Sequence, residues 1–160
     1  MRALQCARLF KSTVHAMQFA RWLHVMGVVV WVGGMFFAHM ALRPSVQSLA
    51  PPERLSLLAA TLSRFMAWVA VAVVAILASG VAMIAMMGQV GLHVHAMTAV
   101  GIAMMAIYAY IVAVPLRTLR GAVAAAEWPH AAPAMQRIRQ LVAVNLALGI
   151  AVIAVAYLAR

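Results

Sequence analysis

The feature that most constrains this chain is a long apolar stretch bounded by an arginine at each end. It reads RWLHVMGVVVWVGGMFFAHMALR and runs from Arg21 to Arg43. About 20 apolar residues, each rising about 1.5 Å, cross the ~30 Å hydrocarbon core of a bilayer as one α-helix. The stretch therefore predicts a transmembrane helix. An imidazole inside a membrane is costly unless it is paired or bound, so His24 and His39 are candidate functional groups.

The composition of the whole chain indicates the same class of protein. Of its 160 residues, 68% are hydrophobic and 9% are charged, whereas about 25% of the residues in a soluble domain are charged. The length suits one helical bundle and leaves no room for a separate soluble domain. We therefore predict an all-α integral membrane protein folded as a four-transmembrane-helix bundle.

Helix-ending and turn-forming residues divide the chain into four spans. Pro44 ends the first span, and Pro51 with Pro52 begins an amphipathic lead-in to the second. A short uncharged turn at 87–91 makes the second and third helices antiparallel neighbours, and Pro115 ends the third. An Ala-rich connector precedes the last span. The predicted spans are 21–42, 65–87, 92–114 and 141–158.

The first eighteen residues are basic and poorly patterned. We predict a tail over 1–18 and a single membrane domain over 19–160, with Met17 as an alternative start. No short apolar region ends in a small-residue cleavage site, which favours an uncleaved first helix that anchors the chain.

Positive charge predicts the orientation of the bundle. Four spans place both termini on one side and the two long connectors on the other. Seven of the twelve Lys and Arg residues lie on the connector side. The positive-inside rule then puts the connectors in the cytoplasm and the termini in the periplasm of a bacterial inner membrane.

The remaining composition excludes several classes of function. The formal net charge of +10 comes from residues between the spans, which form no stripe for nucleic acid. The single cysteine, Cys6, rules out an intrachain disulfide and a cysteine metal cluster. Glu53 and Glu127 are the only carboxylates and lie in different connectors. With no nucleophile triad and no phosphate loop, we predict no catalytic residue.

Three histidines fall in the leaflet on the side of the termini. His24 lies near the start of the first span, and His93 and His95 begin the third. Two residues on a helix are about 200° apart, so His93 and His95 cannot face one partner. His95 heads a row of mostly small residues and His93 a bulkier row, so we predict that His95 faces inward and His93 faces lipid.

The first span offers a face that matches such an inward histidine. Trp31 aligns with His24, and Gly27 and Gly34 lie beside it, seven residues apart. Glycines there would let another backbone, a second copy of the chain or a flat macrocycle come close.

Facing imidazoles at one depth beside small residues suit bis-histidine haem b. The first functional hypothesis is therefore a cytochrome b-like protein that transfers electrons, with quinone or another redox partner, and so a membrane oxidoreductase. His24 and His95 would be the axial ligands, and His39 could bind a second group near the opposite face.

Copper is the alternative ligand, because imidazole and thioether donors suit Cu(I). The segment His93-x-His95-x-Met97 could hold a metal if the first turn of its helix frays, and other methionines lie in the same leaflet. Methionine also fills apolar helices without binding anything, so a scaffold subunit with no cofactor is the third hypothesis. The further methionines are Met26, Met83, Met86 and Met87.

Two segments carry a resemblance to a known family, WLHVMGVVVWVGGMFFAHMALRP in the first span and LHVHAM at the start of the third. Together they resemble the small four-helix members of the copper-resistance protein D (CopD-like) membrane family. The first helix also resembles that of HemJ-type protoporphyrinogen oxidases. The resemblance implies haem b at His24 and a third-span histidine, or copper handling at the extracytoplasmic face.

Overall fold

Helices make up most of the protein in a computed structural model that describes residues 2–158, with side chains from residue 11 onward. Four helical segments are long and apolar enough to cross a membrane, namely Lys11–Ser45, Pro51–Met87, Leu92–Ala124 and Trp128–Leu158. The prediction of an all-α membrane protein with four spans is confirmed. Cys6 has its side chain outside the described part of the chain.

The first span combines three helical segments. Helix α1 runs Arg2–Phe37, a π-helical turn follows at Ala38–Leu42, and α2 is the short helix Arg43–Ser45. Pro44 has no N–H and its ring crowds the preceding turn, so the regular α-helical hydrogen bond is lost at this position. The π-helical turn at Ala38–Leu42, which is wider than an α-helical turn, lies just before this proline. Residues 2–18 continue α1 upstream of the predicted span, and the division at residue 18 stays a prediction.

The second span is one continuous helix, α3, over Pro51–Met87. The lead-in therefore continues directly into the second span, as the sequence predicts. Proline suits the first turn, where its missing N–H costs nothing, and Gly88 follows the last turn with a φ of 71°, which glycine adopts without strain. After this turn, α4 runs Leu92–Ala113.

The connector between the third and fourth spans is largely helical. Helix α5 occupies Pro115–Ala124, and α6 runs Trp128–Leu158, which includes the predicted span 141–158. Helix α5 is amphipathic: Leu116 and Leu119 are buried, whereas Arg117 is exposed. Its apolar face therefore continues the core beyond the end of α4.

The helices do not pack in the order of the chain. Helix α1 packs along α3, while α4 and α5 both pack closely against α6. The third span was predicted to neighbour the second, but its main partner is the fourth. It reaches α3 through Tyr108, whose hydroxyl donates a hydrogen bond to the carbonyl of Met66 over 3.0 Å.

Candidate functional site

His24 is held by the neighbouring helix α3. Its Nδ1 lies 3.1 Å from the carbonyl oxygen of Ile76 and 3.1 Å from the hydroxyl oxygen of Ser79, which is buried. A carbonyl oxygen only accepts hydrogen bonds, so Nδ1 carries the proton. The lone pair of the neutral ring is then on Nε2. Metal-binding histidines are commonly oriented in this way by a carbonyl that accepts from the other nitrogen.

His93 and His95 of the third span are both exposed. The rows of residues that continue from them along the helix point in the directions opposite to those predicted. The bulkier row below His93 points into the bundle, where Met104 and Ile111 are buried. The small-residue row below His95 points outward, and Ile102 within it is 60% exposed. Lipid is as apolar as the core, so van der Waals packing between helices, rather than burial from water, explains why this helix turns its bulky face inward.

The structure therefore does not bring the predicted axial pair together. His24 contacts α3, whereas His95 lies on the exposed face of a helix that packs mainly against α6. The residues present do not fit a bis-histidine haem. The space predicted for a flat ligand beside the α1 glycines is also filled, because Ile76 packs at Gly27 and the Phe65 ring packs at Gly34.

Trp31 belongs to the core rather than to a ligand site. It is 4% exposed and packs edge-on against Tyr108, with ring centroids 6.3 Å apart. This contact links α1 to α4 near the middle of the bundle. The glycine and tryptophan face of α1 thus serves packing within the chain.

His39 lies at the other end of the bundle, on the π-helical turn. It is half-buried and lines a small cleft of about 50 Å³ together with Arg43, Arg139 and Met135. Two guanidinium groups beside the imidazole make this cleft electropositive, which disfavours a metal cation that stays bound there.

The methionines predicted as copper ligands lie at the surface of the bundle. Met26 and Met87 are exposed, and the other three are half-buried. Those three are Met83, Met86 and Met97. In the described residues, no group of three or more His, Cys, Asp or Glu side chains is close enough together to hold a metal ion.

A different set of methionines is buried, one from each of the four spans. Their exposed fractions run from 2% to 7%, and all four belong to one core cluster. Sequence reasoning did not identify these four methionines as a set, because it grouped the candidate copper ligands by leaflet rather than by buried face. The row of Met104 on α4 could have indicated one member. The four are Met35, Met66, Met104 and Met135.

The buried methionines occupy successive depths along α1. Met104 and Val32 both lie against Gly149. Met66 is next in sequence to Phe65, whose ring packs against Gly34. Met135 lines the cleft that contains His39. From residue 32 to residue 39 the helix rises about 10 Å. The four methionines therefore lie between the bundle centre and the connector side, with His24 about 12 Å from Val32 in the other direction.

One polar side chain lies on the inner face of α6, between the depths of the buried methionines. Asn145 is 1% exposed, and its Oδ1 accepts no hydrogen bond from any described residue. It falls between Gly149 and Met135 on that face. Buried polar atoms are almost always hydrogen-bonded, so this carbonyl oxygen is an exception among the described residues.

Comparison with known proteins identifies the family of this chain. The model of the family CopD, described as copper resistance protein D, matches residues 59–159. The chain belongs to the CopD family. Searches of the curated proteins and of the solved structures found no match.

The CopD match begins in α3 and includes the whole of α4, α5 and α6. It contains three of the four buried methionines and Asn145, and it leaves out His24, Trp31 and His39 on the first span. Membership of this membrane family agrees with the four apolar spans. The similarity of the first helix to HemJ-type protoporphyrinogen oxidases stays a prediction.

Proposed function

We propose that this CopD-family protein handles copper within the membrane, passing Cu(I) through the core of the bundle. Two observations support the proposal. The family is described by copper resistance, and each of the four spans contributes one buried methionine to a common core. The buried methionines carry the proposal, because each of the four spans places one soft sulfur donor in the shared core.

The chemistry of the donors suits a transported ion better than a resident one. Thioethers bind Cu(I) readily but carry no charge. Conduction needs sites that bind well enough to admit an ion and weakly enough to release it to the next site. Successive neutral donors meet that requirement, whereas a cluster of carboxylates or thiolates would hold the ion. Both carboxylates of the chain, Glu53 and Glu127, are exposed.

His24 and Asn145 extend this path in the proposal. Nε2 of His24 offers a neutral nitrogen near the end of the bundle where the described chain begins. Oδ1 of Asn145 offers an unpaired oxygen dipole along the inner face of α6. A cation or its accompanying water would satisfy that oxygen, which otherwise has no partner among the described residues.

The experiment compares buried with exposed methionines. The protein is reconstituted in proteoliposomes, and copper uptake is measured with ascorbate present to keep copper as Cu(I). Leucine keeps the volume of methionine but has no sulfur. We expect the variant M35L/M66L/M104L/M135L to lose roughly tenfold or more of the uptake rate, because each site loses its only soft donor.

The control variant is M26L/M87L, which changes two exposed methionines and should transport copper normally. Thermal unfolding in detergent verifies that both variants fold. If the fourfold variant folds and still transports at the original rate, the buried methionines are packing residues and the proposed path is wrong.

A further inference from the structure

A second feature lies outside the methionine path, in an open groove between α3 and α5. Its volume is about 620 Å³, which is large enough for a polar headgroup. Small residues of α3 form the floor, and two arginines and a glycine of α5 form the opposite wall. The lining includes Ser56, Ala59, Ala60, Ser63, Arg117, Arg120 and Gly121.

The groove lies at the depth of the lipid headgroups. The uncharged part of α3, Phe65–Met87, extends about 34 Å and by itself covers the ~30 Å hydrocarbon core. Ser56 and Ser63 precede this segment, and Arg64 separates them from it. On the other wall, α5 follows the end of α4. Any molecule in the groove therefore meets polar headgroups and water rather than acyl chains.

The groove is electropositive and has no internal counter-charge. Arg117 and Arg120 are exposed on α5. Glu127 pairs with His130 over 3.2 Å, and Glu53 is not among the residues that line the groove. Between described residues, no carboxylate forms an ion pair with either arginine. An anion from outside the chain would supply the missing charge.

Two serine hydroxyl groups on the floor of the groove add hydrogen-bond donors to the two arginines. Ser56 and Ser63 are half-buried, and their hydroxyls donate to the carbonyls of Pro52 and Ala59 in their own helix. A serine hydroxyl rotates freely, so each can donate to a ligand instead. Two guanidinium forks and two hydroxyls facing one space are the donors that bind phosphate oxygens.

We propose that the groove between α3 and α5 binds a phosphate group at the membrane surface, with Arg117 and Arg120 as its cationic partners. The phosphate could belong to an anionic phospholipid or to a soluble phosphate. Basic pockets between transmembrane helices are a recognised way to bind anionic headgroups. The inference is independent of the copper proposal, since none of the four buried methionines lines this groove.

Three variants test the groove. R117Q/R120Q removes the charge, and Gly121→Trp fills the space without altering any charge. A Cβ at Gly121 would meet nothing within 4 Å, so the added side chain starts in open space. Arg137→Gln is the matched control, because Arg137 is an exposed arginine of the connector side that lies outside the groove.

The measurement is native mass spectrometry of the purified protein titrated with phosphatidylglycerol, phosphatidylcholine or inorganic phosphate. We expect phosphatidylglycerol or inorganic phosphate to bind the original chain, and whichever binds identifies the source of the phosphate. R117Q/R120Q and Gly121→Trp should each weaken that binding at least tenfold, and Arg137→Gln should not.

Other outcomes would overturn the proposal. Equal losses in R117Q/R120Q and Arg137→Gln would show that diffuse surface charge attracts the anion. Unchanged binding in a folded Gly121→Trp protein would show that the groove is not the site. Binding of phosphatidylcholine as strong as that of the two anions would show that no anion is selected. Thermal unfolding of each variant establishes that it folds.

Discussion

The Nδ1 atom of His24 lies 3.1 Å from the carbonyl oxygen of Ile76, across the interface between α1 and α3. One hydrogen bond thus sets both the orientation and the tautomer of the most deeply placed histidine of the first span. The histidine is turned toward the second span rather than toward the third. In the proposed copper path, Nε2 is the nitrogen left free to bind the ion, and everything proposed for His24 depends on this arrangement.

The first prediction concerns the residue that shares this contact. Ser79→Ala removes the hydroxyl beside Nδ1 and leaves the ring less firmly oriented. Loss of a group that orients a ligating histidine commonly lowers metal affinity about 10- to 100-fold. We expect Cu(I) affinity, measured by competition with a chromogenic chelator, to fall by about tenfold in Ser79→Ala and further in His24→Ala. His15→Ala, which changes an exposed histidine of α1, should bind as before. Equal affinities in all three variants would remove His24 from the copper path.

The second prediction concerns the close approach of α1 and α3. A Cβ at Gly34 would overlap the Phe65 ring, whereas a Cβ at the adjacent Gly33 would meet nothing within 4 Å. Gly34→Ala should therefore lower the free energy of unfolding by about 1–3 kcal/mol, as overpacking in a core does. Gly33→Ala should be neutral or slightly stabilising, since alanine favours the helix. Thermal unfolding in detergent distinguishes the two, and equal effects would mean that the helices are not in contact at this position.

The third prediction concerns the unpaired oxygen of Asn145. Replacing a buried polar group that lacks a partner with an apolar one of similar size relieves a cost of about 1–3 kcal/mol. We expect Asn145→Leu to raise the unfolding temperature and, if the oxygen assists the passing ion, to lower the rate of copper uptake. A destabilised Asn145→Leu protein would show that the side chain has a structural partner in the folded state.

The fourth prediction concerns the contact that joins α4 to α3. Tyr108→Phe removes the hydroxyl that donates to the carbonyl of Met66 and keeps the ring against Trp31. The expected loss is about 0.5–1.5 kcal/mol of unfolding free energy, the usual contribution of one hydrogen bond. Tyr157→Phe is the control, because Tyr157 is 76% exposed. An unfolding temperature of Tyr108→Phe that matches the control would argue against this link between the helices.

Part of the candidate site could be predicted from the residues alone. His24 was identified because an imidazole in an apolar span needs a partner, and the structure provides that partner in Ile76 and Ser79. The identity of the partner could not be predicted. It depends on which helix packs beside α1, and the order of the chain does not determine that in a bundle.

The orientation of α4 shows most clearly where sequence reasoning failed. Both faces of this helix are apolar, since one meets protein and the other meets lipid. The pattern of polar and apolar residues that reveals the inner face of a soluble helix is therefore absent. The inner face had to be chosen from side-chain size, and the choice of small residues was wrong because the bulky row fills the core.

The sequence by itself determined the class of this protein, the presence of four spans and the side on which positive charge gathers. Those properties follow from transfer free energies summed over about 20 residues, which do not depend on neighbours. Only the tertiary structure decided which methionines are buried, where His24 points and which helices touch. Those depend on the rotation of each helix about its own axis, and packing against the other helices sets that rotation.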